Sequence, residues 1–289
     1  VNQTASGFPG PPTTVARPSA RERLKPHDTV MVTPGHLAGP GNPDVAFDEL
    51  FETCPTWSRW HVYDETSQAL HERLTARIEL DHEAAEGPRW TIADYRSPVD
   101  ELAWRATFCV QTPVEIVTAV VQHLTFGLDS LSPAAGEELL WGRRPYADAI
   151  RAALDDAEEP WQQDSESGLW CRPDGTAAIT MAAPQPGSAT TLWGGPSGND
   201  QGRWMAVFSA DTPTGLILTA LGEVIEPLPA VREFGQIPEA HLDHVQIVRS
   251  ARRKAAAAPA SAPIGPLAAT SHAAASAAAG RATPPPRHR

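Results

Sequence analysis

Trp104-Arg105-Ala106-Thr107-Phe108-Cys109-Val110-Gln111-Thr112-Pro113 runs into an apolar stretch of helical period. One hundred positions later the pattern returns as Trp204-Met205-Ala206-Val207-Phe208-Ser209-Ala210-Asp211-Thr212-Pro213. Trp, Ala, Phe, Thr and Pro coincide without a gap, which marks an internal repeat and makes it the frame for the rest of the chain. In the first copy Trp104, Ala106 and Phe108 alternate with Arg105 and Thr107, the period-2 signature of a strand with one buried face. Thr112 then stands where an N-cap belongs, with Pro113 at the first helical position and Glu115 at the third. This reads as a capping box, with proline where its missing N–H costs nothing. Val114, Val117, Val121 and Leu124, joined by Ile116 and Val120, form a broad apolar stripe suited to packing on a sheet. The second copy keeps Thr212 and Pro213 but has Gly215 where the box requires an acid. Its helix, with the stripe Leu216, Ile217, Ala220, Leu221 and Val224, is expected to start less firmly.

Upstream of each copy the same kinds of element recur. A short strand over Thr29–Thr33 leads into a Gly/Pro-rich turn region, which has neither the Gly-Lys-Ser/Thr ending of a P-loop nor a Gly-x-Gly-x-x-Gly form. Residues 44–53 read as a short amphipathic helix with Asp44 as N-cap, ended by Pro55. Strands are expected at Trp60–Asp64, Ala76–Asp81 and Arg89–Tyr95, with the fourth around Trp104. In the second half a helix over Tyr146–Asp156 turns Ile150, Ala153 and Leu154 inward. Strands follow at Gly168–Arg172, Ala177–Ala182, Thr190–Trp193 and Arg203–Ser209. The expected fold class is α+β: two tandem repeats, each a helix, a four-stranded antiparallel sheet and a C-terminal helix, related by a pseudo-twofold axis. The boundaries are a disordered N-terminal tail at 1–29, a first repeat at 30–128, a linker at 129–143 and a second repeat at 144–226. A loop and short helix follow at 227–248, then a basic, Ala/Pro-rich disordered tail at 249–289.

Charge divides along the same lines. Residues 45–248 hold 32 acidic against 12 basic side chains, whereas 249–289 hold 7 basic residues and no acidic ones. The acidic body repels nucleic-acid phosphates and anionic membranes, so contact with nucleic acid is expected only through residues 249–289. Cys54, Cys109 and Cys171 are odd in number and lack Cys-x-x-Cys spacing, so Cys109 and Cys171 read as small buried strand residues. No charged-then-apolar leader is evident, and no apolar run approaches the ~18 residues of a membrane span, so a cytoplasmic setting is the expectation.

The candidate chemical motifs are incomplete. His82-Glu83-Ala84-Ala85-Glu86 resembles His-Glu-x-x-His but ends in Glu and falls between strands, where two ligands share no helix face. His241 and His244, three apart and flanked by Glu239 and Asp243, could clip a metal with a third ligand from elsewhere, but a solvated helix end is the better account of them. The pairs Asp64-Glu65, Asp155-Asp156 and Glu158-Glu159 read as solvated charge. No nucleophile elbow is present. No catalytic, cofactor-binding or metal residue is assigned. The residues singled out are the repeat signature: Trp104, Phe108, Thr112, Pro113, Trp204, Phe208, Thr212 and Pro213.

The run from Val32 to Pro43 (Val-Thr-Pro-Gly-His-Leu-Ala-Gly-Pro-Gly-Asn-Pro), then Arg89-Trp90-Thr91-Ile92, then Trp104-x-Ala-x-Phe108 with Thr112-Pro113, resembles the SPDY family, domain of unknown function 317. The resemblance spans about residues 30–225 with a more diverged second copy, and implies an actinobacterial lineage in which two copies per chain are frequent. The family carries no established catalytic residues to transfer. The expected function is a non-catalytic intracellular protein-interaction module with an unknown protein partner, no cofactor and no membrane. The alternatives are a nucleic-acid-associated accessory protein tethered by its basic C-terminal tail, and an enzyme with an unrecognised site.

Overall fold

The two strands picked out by the repeat lie side by side. The computed structural model of the chain describes residues 24–249, apart from Asp64, Asp100, Glu166, 182–187 and 197–201. In it β6 (Leu102–Cys109) and β11 (Trp204–Ser209) are antiparallel neighbours at the middle of a ten-stranded sheet. Phe108 stands opposite Ala206, Thr107 opposite Val207 and Ala106 opposite Phe208. Each phenylalanine thus faces an alanine, which gives both rings room on one face of the ladder. The two rings meet edge to face with centroids 5.8 Å apart, the arrangement that the ring quadrupole favours.

From β6 the sheet continues outward through β5 (Pro88–Tyr95), β4 (Ala76–Asp81), β3 (Thr66–His71) and β2 (Trp57–Val62). From β11 it continues through β10 (Ala189–Gly194), β9 (Ala177–Thr180), β8 (Trp170–Cys171) and β7 (Gln162–Gln163). Every neighbouring pair is antiparallel. Buried strand residues share one apolar core with the inward stripes of α1 (Pro43–Glu52), α2 (Val114–Leu128), α4 (Tyr146–Asp155) and α5 (Thr214–Ile225). The chain is therefore α+β with antiparallel sheets. Another helix, α3 (Pro133–Trp141), occupies the stretch read as a linker. Its Ser132 N-cap hydroxyl accepts from Ala135 N.

Several local expectations are corrected. Each half contributes five strands to the sheet, not four. The strand missed in the first half is β3, whose buried residues are Ser67, Ala69 and His71. Small and polar side chains on the inward face erase the alternation of hydropathy that a half-buried strand normally shows. The expected capping box does not form. Pro113 and Pro213 are themselves the N-caps, and neither helix start has a side-chain cap. In α1 the cap is Asn42, whose Oδ1 accepts from Asp44 N (3.1 Å) and Val45 N (3.2 Å), with Pro43 at the first helical position.

The segment read as loop and helix, 227–248, instead supplies β12 (Ala230–Glu233) and β13 (Gln246–Arg249), with a 3₁₀ turn at Glu239–His244 between them. These strands flank β1 (Thr29–Thr33) in a separate antiparallel sheet, order β12-β1-β13. In β12 the buried residues are Ala230 and Arg232 while Val231 is exposed, so the pattern reads inverted. The small sheet has its own core of Val30, Val32, Leu37, Ala38, Ala230, Ile237 and Val245. Leu24 packs against it, so residues of the segment read as an N-terminal tail belong to the fold. Arg249 likewise belongs to β13. The remainder of both tails, 1–23 and 250–289, lies outside the described residues.

Trp204 joins the two regions. It is fully buried, and its indole N–H donates to the carbonyl of His36 at 2.8 Å. Gly194 faces it across the ladder, and a Cβ there would stand 2.2 Å from Trp204 Cε2. Trp204→Ala should therefore lower the unfolding free energy by roughly 3–5 kcal/mol, and Gly194→Ala by roughly 1–3 kcal/mol through overpacking. Urea unfolding followed by circular dichroism measures both; an unchanged midpoint for Gly194→Ala would show that the indole has space to move.

Candidate functional site: an acidic cleft beside the repeat helix

The outer flank of the repeat helix opens on a cleft. On α2 the inward stripe takes Ile116, Val117, Val120, Val121 and Leu124 into the core. Glu115, Thr118 and Gln122, spaced three and four apart, then fall on one neighbouring face. On α1 the buried residues are Phe47, Leu50 and Phe51, which leaves Ala46, Glu49 and Thr53 on the flank turned toward α2. Glu223 near the end of α5, the Gly35–His36 turn and Leu228-Pro229 complete the walls of a cavity of about 470 Å³. Gly35 permits this closure: a Cβ there would stand 2.2 Å from the carbonyl oxygen of Leu228.

The cleft carries carboxylates with uneven compensation. Glu115 grips Arg232 in a two-point pair, Nη1 to Oε1 at 2.7 Å and Nη2 to Oε2 at 2.5 Å. The guanidinium is almost wholly buried and also donates to the carbonyls of Gly39 and Val231. Such a fork matched to a carboxylate is the geometry in which a buried arginine is stabilised. No described cation pairs with Glu49 or Glu223. Burial, and secondly the nearby charge of Glu115, hold the Glu223 carboxyl above the usual glutamate range. The site can therefore receive a cation flanked by apolar surface from Leu50, Val114, Ile116 and Leu228.

At the repeat seam the signature residues do different work. The Thr112 hydroxyl donates to the carbonyl of Met205 and the Thr212 hydroxyl to that of Arg105, both at 3.3 Å. In return Met205 N donates to Cys109 Sγ (3.1 Å) and Arg105 N to Ser209 Oγ (3.0 Å). Every one of these bonds crosses between β6 and β11 or the turns that follow them. The strand–turn–helix unit from β4 to α2 is thus complete in geometry, and it coincides with the one comparison that finds a relative. Residues 73–127 match SPDY, a domain of unknown function (DUF317). No curated protein and no solved structure matches the chain.

The SPDY match runs from the turn after β3 through β4, β5 and β6 into all but the last residue of α2. It therefore contains Glu115, Thr118 and Gln122 of the cleft wall, while α1 and α5 contribute theirs from outside it. Of the signature residues, Pro113 lines the cleft. Trp104, Phe108, Trp204 and Phe208 are buried in the core, and Thr112 and Thr212 are buried at the seam. His241 and His244 are not brought together. His241 is fully buried and donates from Nδ1 to the carbonyl of Leu37 at 2.8 Å, whereas His244 is exposed. Among the described residues no group of three or more His, Cys, Asp or Glu could hold a metal. Glu65, Asp155, Asp156, Glu158 and Glu159 are exposed, and Asp64 lies outside the described residues. His82 binds Asp44 and Ser67. The cleft itself was not legible in sequence; the i, i+3, i+7 polar flank of α2 was the available signal.

His36, from the Gly/Pro-rich turn, is buried with neither ring nitrogen hydrogen-bonded among the described residues. Burial, then the charge of Arg172, depress its pKa from the ordinary 6.5 to about 3; Asp174 opposes the shift and His241 adds to it. A histidine that stays neutral in the fold but protonates in the unfolded chain makes stability fall with acid between those two values. Urea midpoints should therefore drop as pH falls from about 6.5, and the drop should be shallower in His36→Leu. The His241 pKa, also depressed by burial, leaves a residual slope of the same sign. Parallel curves for the two proteins would exclude His36 as the source.

Proposed function

We propose that the chain is a protein-interaction module whose cleft receives a basic side chain, with its aliphatic stem, from a partner protein. The observation that carries this reading is the pairing state of the cleft: an apolar-floored cavity of about 470 Å³ holds Glu49 and Glu223 with no described counter-ion. A lysine or arginine presents such a combination of charge and aliphatic length. The net acidity of the body, −20 over residues 45–248, adds long-range attraction for a basic partner. The cleft binds and performs no chemistry. Three free cysteines support an intracellular setting.

The same reading treats the body as two equivalent halves related by a pseudo-twofold axis at the β6–β11 seam. The register supports it, because the pairing of Phe108 with Ala206 and of Ala106 with Phe208 exchanges positions one hundred apart. The reciprocal threonine bonds support it in the same way. Thr112→Val and Thr212→Val should then cost equal amounts, about 1 kcal/mol each. A clear inequality in urea unfolding would set the equivalence aside.

Binding is tested by fluorescence anisotropy with a labelled lysine/arginine-rich peptide and an acidic control of equal length. The basic peptide should bind, weaken with salt, and lose at least tenfold in affinity in a Glu49→Gln/Glu223→Gln double variant. Unchanged affinity in that variant, or no binding at low salt, would reject the cleft as the docking site.

A further inference from the structure

A second polar site lies at the outer end of the sheet and shares no residue with the cleft. Ser67 on β3 is almost wholly buried and stands opposite His61 on the edge strand β2. Its Oγ lies 2.7 Å from Nε2 of His82, at the end of β4, and 2.6 Å from Nδ1 of His61. The other ring nitrogen of His82, Nδ1, lies 2.7 Å from Oδ1 of Asp44 in the first turn of α1.

The partners fix the protons. A carboxylate can only accept, so His82 Nδ1–H donates to Asp44, and neutral His82 then presents a lone pair at Nε2. The Ser67 hydroxyl must donate into that lone pair, and its oxygen accepts from His61 Nδ1–H. Asp44, His82 and Ser67 are thereby aligned in the order carboxylate, imidazole, hydroxyl, with each proton pointing the way a general base requires. A buried serine placed merely to pack needs only one acceptor, and a carboxylate that fixes the imidazole tautomer adds nothing to its packing.

We propose that Ser67 is a base-activated nucleophile that takes an acyl group from an activated ester. Oγ attacks the carbonyl carbon as its proton passes to His82 Nε2, and the imidazolium is held by Asp44. The ester C–O bond then breaks, the leaving alkoxide takes the proton from His82, and the acyl group remains on Ser67. Strand β3 is paired on both sides at Ser67, with β2 and with β4, so its backbone N–H groups serve the ladder and not an oxyanion hole. The site therefore suits uptake of one acyl group and slow release to water. His61, exposed on β2, is the side chain that moves aside to admit the donor.

The test treats the full chain with p-nitrophenyl acetate, follows p-nitrophenolate release, and locates the acetyl group by peptide mass spectrometry. One acetyl group on Ser67 is expected, faster in His61→Ala and absent in Ser67→Ala. In His82→Gln the rate at Ser67 should fall about 100-fold, the low end of what a general base contributes. Asp44→Asn, at a position whose side chain is 63% exposed and so safe for folding, should slow it as well. Acetylation confined to lysines in both the parent chain and His61→Ala, or an unchanged Ser67 rate in His82→Gln and Asp44→Asn, would overturn the proposal.

Discussion

The fold depends on one ladder, the pairing of β6 with β11. Without it each half would end in an edge strand carrying an aromatic, apolar face and a row of unpaired backbone groups, a template for aggregation. Joining the halves there converts two exposed edges into the centre of a ten-stranded sheet, and the remaining outer edges fall on β2 and the two-residue β7. The crossed bonds of Thr112, Thr212, Cys109 and Ser209 lock this ladder at both ends. They also place α2 and α5 as neighbours, because each helix begins two residues after its threonine. The position of the cleft between α1, α2 and the end of α5 follows from that placement.

The sheet centre was readable because its buried residues are apolar and its helices carry broad stripes. Trp104, Ala106 and Phe108 alternate cleanly, and Trp204, Ala206 and Phe208 repeat the pattern, so both strands and the helices after them stand where the sequence puts them. Much of what was not readable shares one physical cause: polar side chains buried and satisfied by partners distant in the chain. Thr112 sits in perfect register for an N-cap, yet its hydroxyl serves a carbonyl across the seam, a bond that local spacing cannot reveal. Glu115, which a capping box would turn back on its own helix, reaches a guanidinium 117 positions away. In β3 the inward Ser67 and His71 are paired with His82 and Asp129, and in β12 the inward residue is Arg232. Hydropathy counts all of these as surface residues, and so β3 and β12 disappeared from the reading; β7 and β13, which bury no residue, offered no pattern to read.

The same cause hid both functional candidates. His82 was visible only as a failed metal motif, because its partners, Asp44 and Ser67, stand 38 and 15 positions away. The cleft carboxylates looked like ordinary helix surface until α1, α2 and α5 were brought together. A single sequence shows which residues are polar. The fold decides which of them lose water, and that loss makes the partner of each one matter.

Scarcity of cations sharpens that choice. The body has far fewer basic than acidic side chains, and several of its arginines hold backbone carbonyls, Arg232 and Arg172 among them. Arg232 serves Gly39 and Val231 as well as Glu115, and Arg172 donates to the carbonyl of Val224. Each binds a carbonyl that the sheet and helix ladders leave unpaired, and in that role neither is available to Glu49 or Glu223. Glu49 and Glu223, where α1, α2 and α5 converge, are left without a described counter-ion. A partner that brings its own cation would supply a charge that the fold has already used elsewhere.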